Sequence, residues 1–257
     1  LASGSKGNSV YLGTDKVKIL FDCGLSGKQM KERLACIGVD AKDIDALVIS
    51  HEHGDHVNGL RIFAYKMGID VYANSETAKG IVNIFHDCPK FKIFSTGEAF
   101  ALGDTVIRPF SISHDSAEPV AFTVEVENKK IAICTDLGFV SSYVRSQLHN
   151  CHLIYLEANH DPQMLMESAR PQTYKQRVLG RGGHLSNEAA GNLLKEVYSP
   201  SLECVYLAHL SEECNTEDLA LSTVRNILGE RADSIDLRVA KQKVVSKSWD
   251  LRSLVRQ

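Results

Sequence analysis

Short apolar runs separated by polar punctuation set the pattern of this chain. In the first 85 residues, segments 10–12, 16–21, 46–50 and 70–73 are aliphatic or β-branched runs of strand length. Between them, 29–36, 59–67 and 75–85 carry apolar residues at helical spacing. Such alternation predicts helices lying against a sheet. From 90 to 134 the pattern turns almost wholly to strands, at 90–94, 99–102, 105–110, 120–127 and 130–134, with a hairpin around Asn128. Strands at 152–157, 203–208, 235–239 and 243–246, with helices at 187–197 and 217–228, complete the chain. No repeat, low-complexity tract or linker divides it. The expectation is one domain over 1–257, with two sheets packed face to face and helices outside.

Composition agrees with a packed core. Of 257 residues, 44% are hydrophobic and 24% charged, a balance that excludes a disordered or fibrous chain. No apolar run approaches the roughly 20 residues that span a bilayer, so no membrane partner is expected. Seven cysteines at 23, 36, 88, 134, 151, 204 and 214 form no Cys-x-x-Cys pair. They read as reduced, core-packed thiols of a cytoplasmic protein. The formal charge of −3 shows no basic excess of the kind nucleic-acid binders usually carry. Two bound divalent cations would turn it slightly positive and concentrate that charge at one site.

The chemistry concentrates where the run Leu47-Val-Ile-Ser50 gives way to His51-Glu-His53-Gly-Asp55-His56. Four candidate ligands fall within six residues at a strand end, and imidazole with carboxylate is a donor set for zinc, manganese or iron. His51 and His53 can converge on one ion while Asp55 and His56 turn to a second. Three further candidates sit just past apolar runs: His114, Asp136 and His209.

The motif His51-x-His53-x-Asp55-His56 after a strand resembles the metallo-beta-lactamase superfamily. The resemblance implies an α+β fold, the four-layer αββα sandwich, and assigns the remaining ligands. His114 is then the third ligand of the first ion, Asp136 the carboxylate bridging two divalent ions, and His209 the last ligand of the second. Asp55 is also a candidate catalytic carboxylate, and Asp22 in Asp22-Cys-Gly a support for the ligand loop. The segments Leu1-Ala-Ser-Gly-Ser-Lys-Gly-Asn8-Ser, Glu157-Ala-Asn-His-Asp161, Gly183-His-Leu-Ser-Asn187 and His209-Leu-Ser extend the likeness over nearly the whole chain. They are similar to the YycJ/WalJ/VicX branch, related to ribonuclease Z and PhnP. That branch implies DNA processing by an exonuclease of 5'-to-3' polarity. Two departures from the pattern stand out: Ser50 replaces the commoner Thr, and Cys214 stands where a second amide is expected.

A dinuclear centre can hydrolyse phosphodiesters, lactams, lactones or thioesters, so residues around it must discriminate. By resemblance to ribonuclease Z-like enzymes, His184 protonates the leaving group and Glu157 orients it. Ser186 or Asn187 is equally suited to cap the following helix. Between Ser168 and Asn187, Arg170, Lys175, Arg177 and Arg181 occur without an acidic residue, a stretch suited to a phosphate backbone or to an ordinary solvated helix face. Tyr174 could stack on a base, although packing is the simpler role. Asn8 is a candidate for phosphate or scaffold contact, and His160 and Asp161 could line the cleft unless Asp161-Pro162 forms a tight turn. His86, His149 and His152 read as surface or structural. The leading expectation is a metal-dependent phosphodiesterase acting on nucleic acid, DNA by the branch resemblance. The alternatives are a small-molecule phosphodiesterase, a thioester or lactone hydrolase, or a metal-stabilised regulatory scaffold.

Overall fold

The computed structural model describes residues 1–87 and 89–251; Cys88 lies outside the described residues. Strands β1 (Val10–Gly13), β2 (Lys18–Phe21), β3 (Ala46–Val48), β4 (Asp70–Ala73) and β5 (Phe91–Ile93) form one sheet in that order. Only its β1/β2 pair is antiparallel. The second sheet runs β12 (Asp236–Val239), β11 (Cys204–Ala208), β10 (Leu153–Glu157), β9 (Lys129–Cys134), β8 (Val120–Val126), β7 (Thr105–Ser111), β6 (Phe100–Leu102). Strands β12 to β9 are parallel and β9 to β6 antiparallel. The β8–β9 hairpin turns on Glu127 and Asn128, both at positive φ, as a two-residue turn between twisted strands requires.

Period-two alternation sorts the side chains into layers. Ile19, Phe21 and Val48 of the first sheet meet Phe122, Val124, Ile133 and Tyr155 of the second in one buried cluster, which fills the space between the sheets. Their neighbours Leu20, Leu47 and Ile49 face outward, under α1 (Gly27–Cys36) and α3 (Ser75–Phe85). On the far side, Ala132, Ile154, Leu156, Val205 and Leu207 face outward under α7 (Asn187–Val197) and α8 (Glu217–Leu228). Both faces of each central strand are buried, which is why those runs read as continuously apolar. The result is the expected α+β sandwich with helices on both outer faces. Among the described residues no helix is long and apolar enough to cross a membrane.

Some elements differ from expectation. The predicted strand 243–246 is a loop: Ser246 Oγ accepts from Lys241 N, and the carbonyls of Lys247 and Ser248 accept from Arg238 instead of from a strand. The helix at 59–67 is π-helical over Arg61–Lys66, with Met67 N donating to Ile62 O. Short helices α2 (Gly54–Val57), α4 (Ser142–Leu148), α5 (Pro162–Glu167) and α6 (Gln172–Leu179) fall below the length at which periodicity is readable. Asp161-Pro162 opens α5 instead of closing a turn: the Asp161 carboxylate accepts from Met164 N, and proline suits a first helical position. The six described cysteines are free thiols, five buried and Cys36 exposed.

Candidate metal centre

β2, β3, β7, β9, β10 and β11 all end at one edge of the sandwich, where parallel strands place their following loops together. The first sheet contributes a continuous wall. After β3 the chain passes Ser50, His51 and His53, and His53 directly precedes α2, which carries Asp55 and His56. Asn8 N donates to Asp55 O at 2.8 Å and Cys23 N to His56 O at 2.8 Å, fixing this short helix by its backbone. The approach is so close that a Cβ on Gly24 would lie 1.6 Å from Asp55 O. Asp22 accepts from Ser50 N and Ser50 Oγ, and its other oxygen holds His56 Nδ1 at 2.8 Å. Ser50 thus keeps the hydroxyl function expected of it, and also contacts His51 Nδ1 at 3.0 Å.

The second sheet supplies separate side chains. His114 follows β7 and sets Nδ1 3.2 Å from Gly183 O; Asp136 follows β9; His209 follows β11. His209 N donates to Ser3 Oγ, Asn159 Nδ2 donates to His209 O, and His209 Nδ1 meets Glu157 Oε1 at 2.9 Å. Asp22, Asp136 and His209 have φ of 59°, 59° and 55°. This left-handed conformation costs a non-glycine residue on the order of 1 kcal/mol, and here it turns each side chain sharply off its strand.

All seven expected ligand residues converge. His51, His53 and His114 offer ligand atoms within 4.8 Å of one another, as do Asp55, His56 and His209, and His51, His56 and Asp136. Asp136 lies between, 3.3 Å from His56 Nε2, 3.6 Å from His209 Nε2 and 3.8 Å from His114 Nε2. In His51, His56, His114 and His209 the protein engages Nδ1, leaving Nε2 toward the centre. Three buried atoms there, His51 Nε2, Asp136 Oδ2 and His209 Nε2, have no hydrogen-bond partner among the described residues. Unpaired buried imidazole and carboxylate atoms aimed at one point fit divalent cations.

Electrostatics agree. Burial opposes charge on Asp136, yet His209, His56 and His51 around it hold its carboxyl well below the usual range. Burial likewise disfavours a charged His209, but Asp136, Asp55 and Glu157 together lift it to about 10 in the polypeptide alone. His56 is raised against burial by Asp22 and Asp136, whereas burial, reinforced by neighbouring imidazoles, drives His51 well below its ordinary value. The carboxylates keep protons on the His56 and His209 imidazoles when no metal competes, so metal uptake should release protons.

The structure pairs His184 Nδ1 with Glu157 Oε1 at 2.8 Å, as expected, but gives Glu157 more to do. The same Oε1 holds His209, and Oε2 accepts from Leu137 N and Leu185 N at 2.8 and 3.0 Å. Fully buried, the carboxyl is drawn down to about 2: desolvation resists, but the His184 and His209 rings prevail. Ser186 caps α7, so the capping role and the His184–Glu157 pair coexist.

Other candidates land elsewhere. Asn8 is scaffold, its Oδ1 accepting from Gly4 N and its Nδ2 reaching Asp55 and His56. His160 is buried, 1% exposed. His86 and His149 are exposed, and His152 Nδ1 accepts from Lys130 N. Tyr174 packs against the small cluster Leu165, Val178 and Cys214. Cys214 is buried there, and the neighbouring Asn215 supplies the amide, bonding Asn187 and Ala158 O. Much of the basic stretch is neutralised: Arg170 pairs with Glu213, Arg177 with Asp115, and Lys175 donates to Met166 O. Ser3 and Asn159, which secure His209, were not singled out from the sequence. Their one signal is membership of the two polar segments flanking the motif residues.

A family profile described as "Beta-lactamase superfamily domain" matches residues 17–209. The chain is 37% identical over 234 residues to the protein named exodeoxyribonuclease YycJ of Bacillus anthracis, covering 90% of this chain and 88% of that one. It is 38% identical over 234 residues to exodeoxyribonuclease WalJ of Streptococcus pneumoniae serotype 2 (strain D39 / NCTC 7466), covering 90% and 87%. The metallo-beta-lactamase fold protein YhfI from Bacillus subtilis superposes with a TM-score of 0.72 over 96% of both chains at 16% identity, a likeness of fold alone. The chain belongs to the beta-lactamase superfamily and, within it, to the YycJ/WalJ branch.

Proposed function

We propose that this protein is a metal-dependent hydrolase of nucleic acid, an exodeoxyribonuclease with DNA as its substrate. The observation that carries this is the convergence of seven His and Asp side chains with unpaired inward atoms, in a chain 37–38% identical to proteins named exodeoxyribonuclease. His51, His53 and His114 would hold one divalent ion, and Asp55, His56 and His209 the second, with Asp136 between them. Zinc and manganese both suit the donor set, and iron is compatible with it. Bound there, two such ions supply Lewis-acid polarisation of a phosphodiester and neutralise charge on its non-bridging oxygens.

The chain's own residues do the rest. Glu157 holds His184 by Nδ1, which leaves Nε2 to carry a proton for the departing oxygen. Asn8 and the backbone of Cys23 keep Asp55 and His56 from swinging away. We take residues 1–257 as one unit, because both sheets contribute to the centre, and the cytosol as its place, in keeping with six free thiols.

End-labelled single- and double-stranded DNA, assayed beside lactones and thioesters with zinc or manganese and again after chelation, tests this reading. DNA should be degraded from one end, and chelation should abolish it. Faster turnover of the small esters would overturn it, and endonucleolytic products would replace "exo" with "endo".

A further inference from the structure

Of the four cations in the basic stretch 168–187, three are engaged: two by carboxylates and Lys175, largely buried, by a carbonyl. Arg181 differs. Its side chain is exposed, and among the described residues its guanidinium has no acidic or hydrogen-bonding partner. It lies instead over the ring of Phe139, 3.9 Å from the ring centroid, and Phe139 is itself 39% exposed. An aromatic ring and a planar cation are thus stacked and open to solvent.

Their position relative to the centre is built into the backbone. Phe139 follows Asp136 by three residues, and Arg181 precedes His184 by three. The two loops and the His114 loop are laced together. Gly138 N donates to Ser113 O, Ser113 Oγ donates to Arg181 O at 2.7 Å, and Asp115 N donates to Gly182 O. Contact is so close that a Cβ on Gly138 would meet Arg181 O at 2.4 Å and Gly183 N at 2.5 Å. The stack therefore rides on the segments that carry His114, Asp136 and His184. Stacking on Phe139 restrains the guanidinium, lowering the entropy lost when it meets a ligand.

We propose that the Arg181–Phe139 stack is a nucleobase platform: a base of the bound strand rests on the guanidinium plane while a nearby phosphate enters the metal centre. This rests on the nucleic-acid reading above. A planar cation with free N–H groups matches a polyanion bearing flat aromatic rings, and it accepts any base because every base presents a π face. An exonuclease that degrades mixed sequence needs such a sequence-tolerant grip. The engaged cations Arg170, Lys175 and Arg177 cannot provide it without breaking their existing bonds.

The test compares Arg181→Ala, Arg181→Lys and Phe139→Ala with wild type, all metal-loaded, on an end-labelled single-stranded oligonucleotide and on bis(4-nitrophenyl) phosphate, which has no nucleobase. The readout is the ratio of oligonucleotide KM to small-diester KM, with kcat recorded separately. R181A should raise that ratio about tenfold, toward the low end of what one base–side-chain stack contributes. It should also flatten the salt dependence of oligonucleotide kcat/KM, by less than the roughly 0.7 in log–log slope that one neutralised phosphate contributes. R181K should keep the wild-type slope yet raise the ratio, because it retains charge without the plane. F139A should act in the same direction by a smaller factor. A purely structural role would instead lower the thermal midpoint and affect both substrates alike. An unchanged ratio in R181A and F139A, or an R181K variant indistinguishable from wild type, would overturn the platform while leaving the nuclease reading intact. Wild type that hydrolyses the small diester but leaves the oligonucleotide whole would overturn both.

Discussion

Asp22 and Glu157 hold matching stations on the two sheets. Asp22 directly follows β2 and Glu157 ends β10; each is buried, and each takes an imidazole Nδ1 at 2.8–2.9 Å. Both act on the trio Asp55, His56 and His209, from opposite sides. The other trio has neutral supports, Ser50 Oγ beside His51 and Gly183 O beside His114. The difference lies in what else each carboxylate touches. Asp22 is occupied with Ser50 and the ligand loop, whereas Glu157 joins His209 to His184, a residue outside both trios. Asp22 thus braces the ligand loop alone; on the proposed reading, Glu157 would couple metal holding to proton transfer.

The largest effect tests the ground common to both. Asp136→Ala removes the carboxylate between the trios, and should lower turnover of DNA below detection with loss of at least one of two metals. Elemental analysis of the purified variant, beside its activity, checks this; two metals and normal turnover would refute the central role of Asp136. Next in size is His184→Ala, which spares all seven proposed ligand residues. Turnover of DNA, with its poor alkoxide leaving group, should fall by roughly 10²- to 10⁴-fold at normal metal content, while an activated aryl diester loses much less. Equal losses on both substrates would make His184 a phosphate contact rather than a proton donor.

The comparison itself is sharpened by Asp22→Asn against Glu157→Gln. Both should weaken one metal by roughly 10- to 100-fold, the usual cost of altering a support behind a ligand histidine. Excess metal should then restore activity to D22N but not to E157Q, whose His184 remains mispositioned. Glutamine cannot replace Glu157 cleanly. One of its two terminal atoms is an NH2 group, which must face either two imidazoles or the N–H groups of Leu137 and Leu185. Full rescue of E157Q by metal would show that its link to His184 has no part in turnover.

The same contrast explains what was legible in the sequence. The first wall is a local motif: four candidate ligands within six residues after an aliphatic strand can be read without knowing the fold. The second wall is dispersed over 114, 136 and 209, each visible only as a polar residue past an apolar run, and the resemblance was needed to join them. The central strands were plain as continuous apolar runs because both of their faces are buried. Contacts across long separations were not legible. Ser3 reaches His209 across 206 positions, and the acids that neutralise Arg170 and Arg177 lie 43 and 62 positions away. Helices α5 and α6, at six and eight residues, are too short and polar to announce themselves by period.

The smallest predicted effect concerns an asymmetry between the walls. Beside Asp22 the imidazole of His56 is held at Nδ1, but three residues after Glu157 the buried ring of His160 has no partner at either nitrogen among the described residues. Burial pushes its pKa down to about 4, with the Glu157 carboxylate only partly offsetting this. An unfolded chain takes up that proton near 6.5, the folded one not until about 4. Between those values the unfolded state binds more protons, so His160 contributes a loss of stability as pH falls through 6.5, complete below about 4. Above 6.5 it contributes no pH dependence. Replacing it by phenylalanine, which keeps a buried ring without titrating, should therefore flatten this part of the profile. Urea melts of chelator-treated wild type and His160→Phe at pH 7 and pH 5 measure it, and groups common to both proteins cancel in the difference. The stability gap should shift by about 1–2 kcal/mol in favour of the variant on going to pH 5. A gap independent of pH would mean that His160 gains a partner for its proton in the folded protein, and the second wall would then be as fully satisfied as the first.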